Sequence, residues 1–224
     1  MYQIFKNREE AGVQLAYELL EFAGRRDVMV LALPRGGVPV GFEVARVLEL
    51  PLDVLIVRKL GVPGHEELAF GAIAPGGVRF LNDAIINSLR IPDAVVETVV
   101  EREMGELDRR ERLYRGMRPA VDVEGKTVIV VDDGLATGAT MQVAIGAIKK
   151  MSPKRIVVAV PVAERSTRQE LVEKTGVECV CAMMPHPFYA VGVWYDDFRQ
   201  TTDDDVRECL ALAEERVPSA AIAA

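Results

Sequence analysis

Val128-Ile129-Val130-Val131-Asp132-Asp133-Gly134-Leu135-Ala136-Thr137-Gly138-Ala139-Thr140-Met141 is the stretch that decides the fold. Four apolar residues predict a strand buried on both faces, as the strands of a parallel sheet are. Two carboxylates follow at its C-terminal end, where open α/β sheets bind ligands. Gly134 and Gly138 permit close backbone approach, and Thr137 and Thr140 offer hydroxyls. The next helix opens with unpaired N–H groups and the positive end of its dipole. Loop and helix start together predict an anion cradle sized for one phosphate.

Asp132 and Asp133 are wrong for that anion. Carboxylates accept hydrogen bonds, so they suit vicinal hydroxyls or a metal ion. A phosphate beside a diol describes a ribose 5-phosphate. The stretch is not a Walker loop, because Gly-Lys-[Ser/Thr] is missing. A phosphate-receiver domain also places acids at strand ends, but it lacks the Thr-Gly-Ala-Thr cradle.

Outward from this stretch, apolar strands alternate with amphipathic helices, which predicts an α/β fold with a mainly parallel, doubly wound sheet. Strands are expected at Val28 to Leu33, Leu52 to Val57, Thr127 to Val131, Ile156 to Val162 and Val177 to Ala182. Asn7 with Glu10 signals a helix start, with Leu15, Leu19 and Phe22 on its inner face and Gly24 at its end. Further helices are expected over Val40 to Leu48, Asp93 to Arg115, Thr140 to Lys150 and Asp203 to about Glu215, and one capped by Ser166 with Gln169 and ended by Gly176. Glu106–Arg110, Asp108–Arg112 and Glu111–Arg115 are favourable i,i+4 pairs, so 93–115 reads as a solvated charged helix. Residues 60–81 are rich in glycine, with Pro63 and Pro75; they read as an irregular lid whose second half forms a hairpin around Pro75-Gly76-Gly77. Residues 1–215 read as one domain, 183–200 as a hood loop and 216–224 as a disordered tail.

The chain of 224 residues is half apolar and 27% charged, which excludes disorder. Its net charge of −7, from 27 basic and 34 acidic side chains, disfavours non-specific nucleic-acid binding. A local cluster can still hold a small anion. The longest apolar runs are too short to span a bilayer. Acids in Met1 to Glu10 argue against a signal peptide, and three sparse cysteines read as buried thiols of a reducing compartment. A cytoplasmic protein without membrane or nucleic-acid partners is expected.

At 128–141 the sequence resembles the type I phosphoribosyltransferases, whose signature is an apolar strand, two acids and a Thr-Gly-x-Thr phosphate loop. The resemblance implies transfer of the 5-phosphoribosyl group from 5-phosphoribosyl 1-pyrophosphate (PRPP) to a nitrogen acceptor, with Mg²⁺ and release of pyrophosphate. It implies that Gly134, Leu135, Ala136, Thr137, Gly138, Ala139 and Thr140 hold the 5-phosphate, and that Asp132 and Asp133 hold the ribose hydroxyls, directly or through the metal. It assigns the pyrophosphate to Arg35, Gly36 and Gly37 of the Pro34-Arg-Gly-Gly turn and to Arg58 and Lys59. A non-proline cis peptide is expected at Arg35–Gly36. A homodimer is expected by analogy with relatives.

The ring-rich stretch Pro185 to Phe198 resembles the base-binding region of 6-oxopurine phosphoribosyltransferases. That likeness gives Tyr189 a stacking role and puts Val191, Trp194 and Asp196 around the base; packing over the sheet explains the same rings equally well. Two departures stand out. Glu164 takes the place of a base-reading Lys, and Ala136 the place of an acid inside the phosphate loop. Both argue against hypoxanthine or guanine. The adenine enzymes share Leu135-Ala-Thr-Gly and Arg58-Lys-x-Gly61 but not the tail, so the acceptor stays open. His65 and His186 read as loop residues without a catalytic role. The alternative to an enzyme is a regulator that senses PRPP or a nucleotide on the same fold.

Overall fold

The computed structural model describes residues 4–116 and 122–216. In chain order these form α1 (Arg8–Tyr17), β1 (Val28–Ala32), α2 (Gly37–Leu48), β2 (Leu52–Val54), β3 (Arg58–Val62), β4 (His65–Ala74) and β5 (Val78–Leu81). Then follow α3 (Asp83–Ser88), α4 (Asp93–Arg115), β6 (Thr127–Val131), α5 (Ala139–Lys149), β7 (Arg155–Val162), α6 (Arg165–Thr175), β8 (Glu178–Met183) and α7 (Asp203–Arg216). The expected tail from 217 onward lies outside the described residues.

A five-stranded parallel sheet runs in the order β2-β1-β6-β7-β8. Its strands are apolar on both sides because helices cover both faces. Val28, Val30, Ala32, Ile129 and Val131 pack with α1, α2 and α7, while Met29, Leu31, Val128 and Val130 pack with α5 and α6. This is the period of two expected of strands. From β1 the chain steps one way to β2; from β6 it steps the other way to β7 and β8. The order therefore reverses between β1 and β6, the kind of switch point at whose C-terminal strand ends open α/β sheets bind ligands. Leu33 N–H donates to Val131 O (2.9 Å) and fixes the two strand ends side by side.

Two expectations need correcting. Residues 60–81 are regular rather than irregular: the expected hairpin around Pro75-Gly76-Gly77 is present as β4 and β5, and β3 joins it to make a three-stranded antiparallel sheet. Gly61 and Gly71 serve close packing, while Gly64, Gly76 and Gly77 take the positive φ of turns. A Cβ on Gly61 would lie 2.7 Å from Glu66 O, and one on Gly71 2.5 Å from Phe80 O. Nor is α4 merely a solvated face, since it carries Glu103 and Arg115 into the interior. Arg115 bonds Asp53 (3.2 Å), Glu111 (2.6 Å) and Val54 O (2.8 Å), which pins α4 to the end of β2.

Helix starts differ in smaller ways. Asn7 does cap α1, accepting from Glu10 N–H (2.9 Å), but the helix ends at Tyr17 and a 3₁₀ turn carries Leu20 to Phe22. Helix α6 is capped by Glu164 rather than Ser166: its carboxylate accepts from Thr167 N–H (2.6 Å) and Ser166 Oγ (2.5 Å). Cys179 is buried and Cys181 half-buried, with Sγ atoms 3.8 Å apart. No helix among the described residues is long and apolar enough to cross a membrane.

Candidate functional site

The strand β6 is wholly buried, and Asp132 and Asp133 follow directly at its C-terminal end. Asp132 Oδ1 accepts from Asp133 N–H (2.9 Å). Burial, reinforced by the charge of Asp133, pushes Asp132 well above the usual carboxylate range. Burial also raises Asp133, while Arg8 pulls it back down. The two acids are thus unequal. Arg8 places Nε and an Nη at 2.9 Å from Asp133 Oδ2, and Asp132 has no side-chain partner among the described residues.

Past the acids the chain turns over α5. Leu135 is core: its N–H donates to Val162 O (2.9 Å) and its carbonyl accepts from Glu164 N–H (2.9 Å). Its amide is therefore engaged, and the open run of amides begins at Ala136, two residues after Gly134, where the cradle is expected to start. From Ala136 to Thr140 no amide donates to a carbonyl or side chain among the described residues. Gly138 makes the turn with φ +69°, a left-handed conformation that costs other residues strain. Thr167 Oγ1 donates to Ala136 O (2.7 Å) and braces the turn from α6. Ala136, Thr137 and Thr140 are exposed, so the turn is open to solvent. Five successive unpaired amides at a helix start are the set of donors an anion site requires.

Pro34-Arg35-Gly36-Gly37 lies beside the acids. The non-proline cis peptide is Pro34–Arg35, one bond earlier than expected. Gly37 opens α2. Gly36 leaves room for Asp133: a Cβ there would sit 2.1 Å from Oδ2. Arg35 comes within 3.8 Å of Asp203 on α7, which also accepts from Tyr114 Oη (2.5 Å). Burial first, then the bond to Asp203, pushes Tyr114 up to about 12.

Arg58 and Lys59 part company, as neighbours on a strand must. Arg58 turns to α4 and meets buried Glu103 through Nε (2.8 Å) and Nη2 (2.5 Å). Lys59 faces a groove of about 500 Å³ shared with Ala139 and Gln142 of α5 and Phe80 of β5. It thus sits near the mouth of the cradle, on the opposite side of β3 from Arg58.

The base residues suggested by resemblance scatter. Tyr189 is 78% exposed, Asp196 is exposed, and Glu164 is committed to capping α6 with its carboxyl held down at about 2 by Ser166 and Thr167. Val191 does reach the turn after the acids, because a Cβ on Gly134 would meet its Cγ1 at 2.5 Å. Trp194 packs with Phe5 and Tyr195. Two residues outside the sequence-based assignment are closer to the acids. Tyr195 is buried and donates to Asp133 O (2.5 Å), and its hydroxyl is pushed up by burial and by the charge of Asp133. Arg8 comes from the N-terminal helix, where nothing in the sequence singles it out.

The fold and this arrangement define a class: a doubly wound sheet with an acid pair and an open phosphate turn at its switch point. Residues 1–197 match the family described as the phosphoribosyl transferase domain, and the chain belongs to that family, of type I. It is 43% identical over 204 residues to a putative phosphoribosyl transferase of Mycobacterium tuberculosis, covering 91% of this chain and 46% of that protein. The chain thus spans about half the length of the curated relatives it matches. The crystal structure of TT1426 from Thermus thermophilus superposes with a TM-score of 0.83 at 40% identity, covering 93% of this chain and 98% of that one.

Proposed function

We propose that this chain transfers the 5-phosphoribosyl group of PRPP to a nitrogen acceptor, a nucleobase or related heterocycle, and releases pyrophosphate in a Mg²⁺-dependent reaction. The observation that carries the reading is the run of unpaired amides from Ala136 to Thr140 directly after Asp132 and Asp133.

The amides and the α5 dipole bind the 5-phosphate. Asp132 accepts from the ribose hydroxyls. The C1–O bond breaks with its electron pair leaving on pyrophosphate, the acceptor nitrogen's lone pair forms the new bond to C1, and the nitrogen's proton passes to water. Positive charge on the ring is stabilised by the acids, and negative charge on the leaving group by Arg35 and by Arg58 once it leaves Glu103. Holding both reactants in one crevice supplies much of the rate.

The donor set fits a metal ion that arrives with substrate. No group of three or more metal-binding side chains occurs among the described residues, and Asp133 is engaged by Arg8. Asp132 is thus the protein oxygen best placed to reach an ion held mainly by substrate oxygens and water, a common arrangement for Mg²⁺. When bound there, the ion neutralises charge on the departing pyrophosphate.

Calorimetry with PRPP and Mg²⁺ should show binding, and a panel of nucleobases should reveal one that releases pyrophosphate. No heat at millimolar PRPP overturns the reading. Guanine and hypoxanthine should be poor acceptors, because Glu164 and Ala136 stand at positions where those enzymes carry Lys and an acid. Rapid turnover of either would show that the positions are misaligned. The sensor reading draws on one observation, that Arg35 and Arg58 each have a carboxylate partner; PRPP binding without turnover on any acceptor would favour it.

A further inference from the structure

Arg8 is 9% exposed and joins three parts of the molecule that the sequence keeps apart. Nε and one Nη grip Asp133 Oδ2 at 2.9 Å. Nη1 donates to Arg199 O at 2.7 Å. The guanidinium carbon Cζ lies over the Phe198 ring, 4.0 Å from its centroid. The same loop is tied back to the acid and to the N-terminal segment. Tyr195 Oη donates to Asp133 O, Phe5 N–H to Trp194 O (2.9 Å), and Asp196 N–H to Phe5 O (2.8 Å). Rings continue the link, with Phe5 and Tyr195 centroids 5.5 Å apart and Tyr195 and Phe198 5.0 Å apart.

We propose that Arg8 is a positioning residue that couples the ribose acids to the ring-bearing loop 194–199, so that occupation of the sugar site sets the loop that meets the acceptor. The proposal rests on the phosphoribosyl-transfer reading and adds to it the residue through which sugar and acceptor sites communicate. A plain structural ion pair needs only charge. Here one planar fork makes three different contacts: a carboxylate, a main-chain carbonyl and an aromatic face. A lysine can replace the charge but neither the second donor direction nor the stack.

That difference gives the test. Trp194, the sole tryptophan, neighbours Tyr195 and reports on the loop. In the wild type its fluorescence should change on titration with PRPP and Mg²⁺. Arg8→Lys should keep PRPP affinity within about threefold, lose the Trp194 response and raise the acceptor KM about tenfold or more. Arg8→Met should lose both PRPP affinity and the response. Phe198→Leu, which removes the stack alone, should weaken the response and leave PRPP affinity unchanged. Equal losses of PRPP and acceptor binding in Arg8→Lys, or an undiminished Trp194 response in it, would overturn the proposal. Amide exchange over 194–199 in the unliganded protein separates this failure from failure of the enzyme reading. It should quicken in both Arg8 variants whatever the protein catalyses, and unchanged exchange there sinks the coupling by itself.

Discussion

Between Ala136 and Thr140 the chain offers its own amides; between Tyr189 and Phe198 it offers rings, held by residues from far away in the sequence. The first site is made of backbone on one continuous segment, so its geometry follows from local rules: a buried strand, a left-handed glycine and a helix start. The second is made of side chains whose placement depends on Phe5, Lys6 and Arg8, nearly the whole chain away. A site of the first kind tolerates much variation in side chains. A site of the second kind is where relatives on one fold can differ in what they accept.

The contrast can be broken most forcefully at the point where the two regions meet. Asp132→Asn with Asp133→Asn should fold normally and lose about 10²–10³-fold in kcat, read by pyrophosphate release. Near-normal turnover would leave the cradle and the ring-bearing loop with nothing between them. Gly36→Ala comes next. Its Cβ would fall 2.1 Å from Asp133 Oδ2, so the carboxylate must move and take Arg8 with it. We expect a fall of about 10²-fold in kcat/KM with a small change in melting temperature; unchanged kinetics would mean that the placement of Asp133 is not critical.

A comparison of two tyrosines sharpens the same point. Tyr195→Phe removes a donor from a buried carbonyl and should cost about 1 kcal/mol in chemical denaturation. Tyr189→Phe, at an exposed ring, should stay within about 0.5 kcal/mol. Equal costs would erase the distinction between the loop's anchored and free ends. The smallest effect is a pH dependence. Hydrogen bonds from Ser166 and Thr167 lower Glu164 from 4.5 to about 2 in the folded chain. A depressed carboxyl stabilises the fold above its unfolded value, and the contribution fades as pH falls from about 4.5 toward about 2. Unfolding midpoints of wild type and Glu164→Gln should therefore differ most at neutral pH and converge in acid. A constant gap would mean the α6 cap is not ionic.

What the sequence discloses follows the same division. The core strands, the acid pair and the loop that follows it are legible because each is written as a local pattern: apolar runs, Asp-Asp, Thr-Gly-x-Thr. Such a pattern does not show that the Leu135 amide is engaged, because that is decided by pairing with Val162 in a different strand. The glycines of 60–81 read as an irregular segment, whereas Gly61 and Gly71 permit close strand packing and Gly64, Gly76 and Gly77 make turns between strands. Arg58 reads from the sequence as a cation at a strand end, but its partner Glu103 lies 45 residues on and has no local signal. Arg8 and Tyr195 escape notice for the same reason. In sequence they are one charge in Asn-Arg-Glu-Glu and one ring among several. Only their meeting at Asp133 distinguishes them.

The parallel bridge between Phe5 and Tyr195 has a consequence for how the protein is made. Synthesis delivers its two halves far apart in time, so the first helix must wait for most of the chain before its arginine finds the loop it grips. A polypeptide interrupted before residue 195 would already own every amide of the phosphate turn, yet Asp133 would lack Tyr195 on its carbonyl and the Phe198 platform beneath its cation.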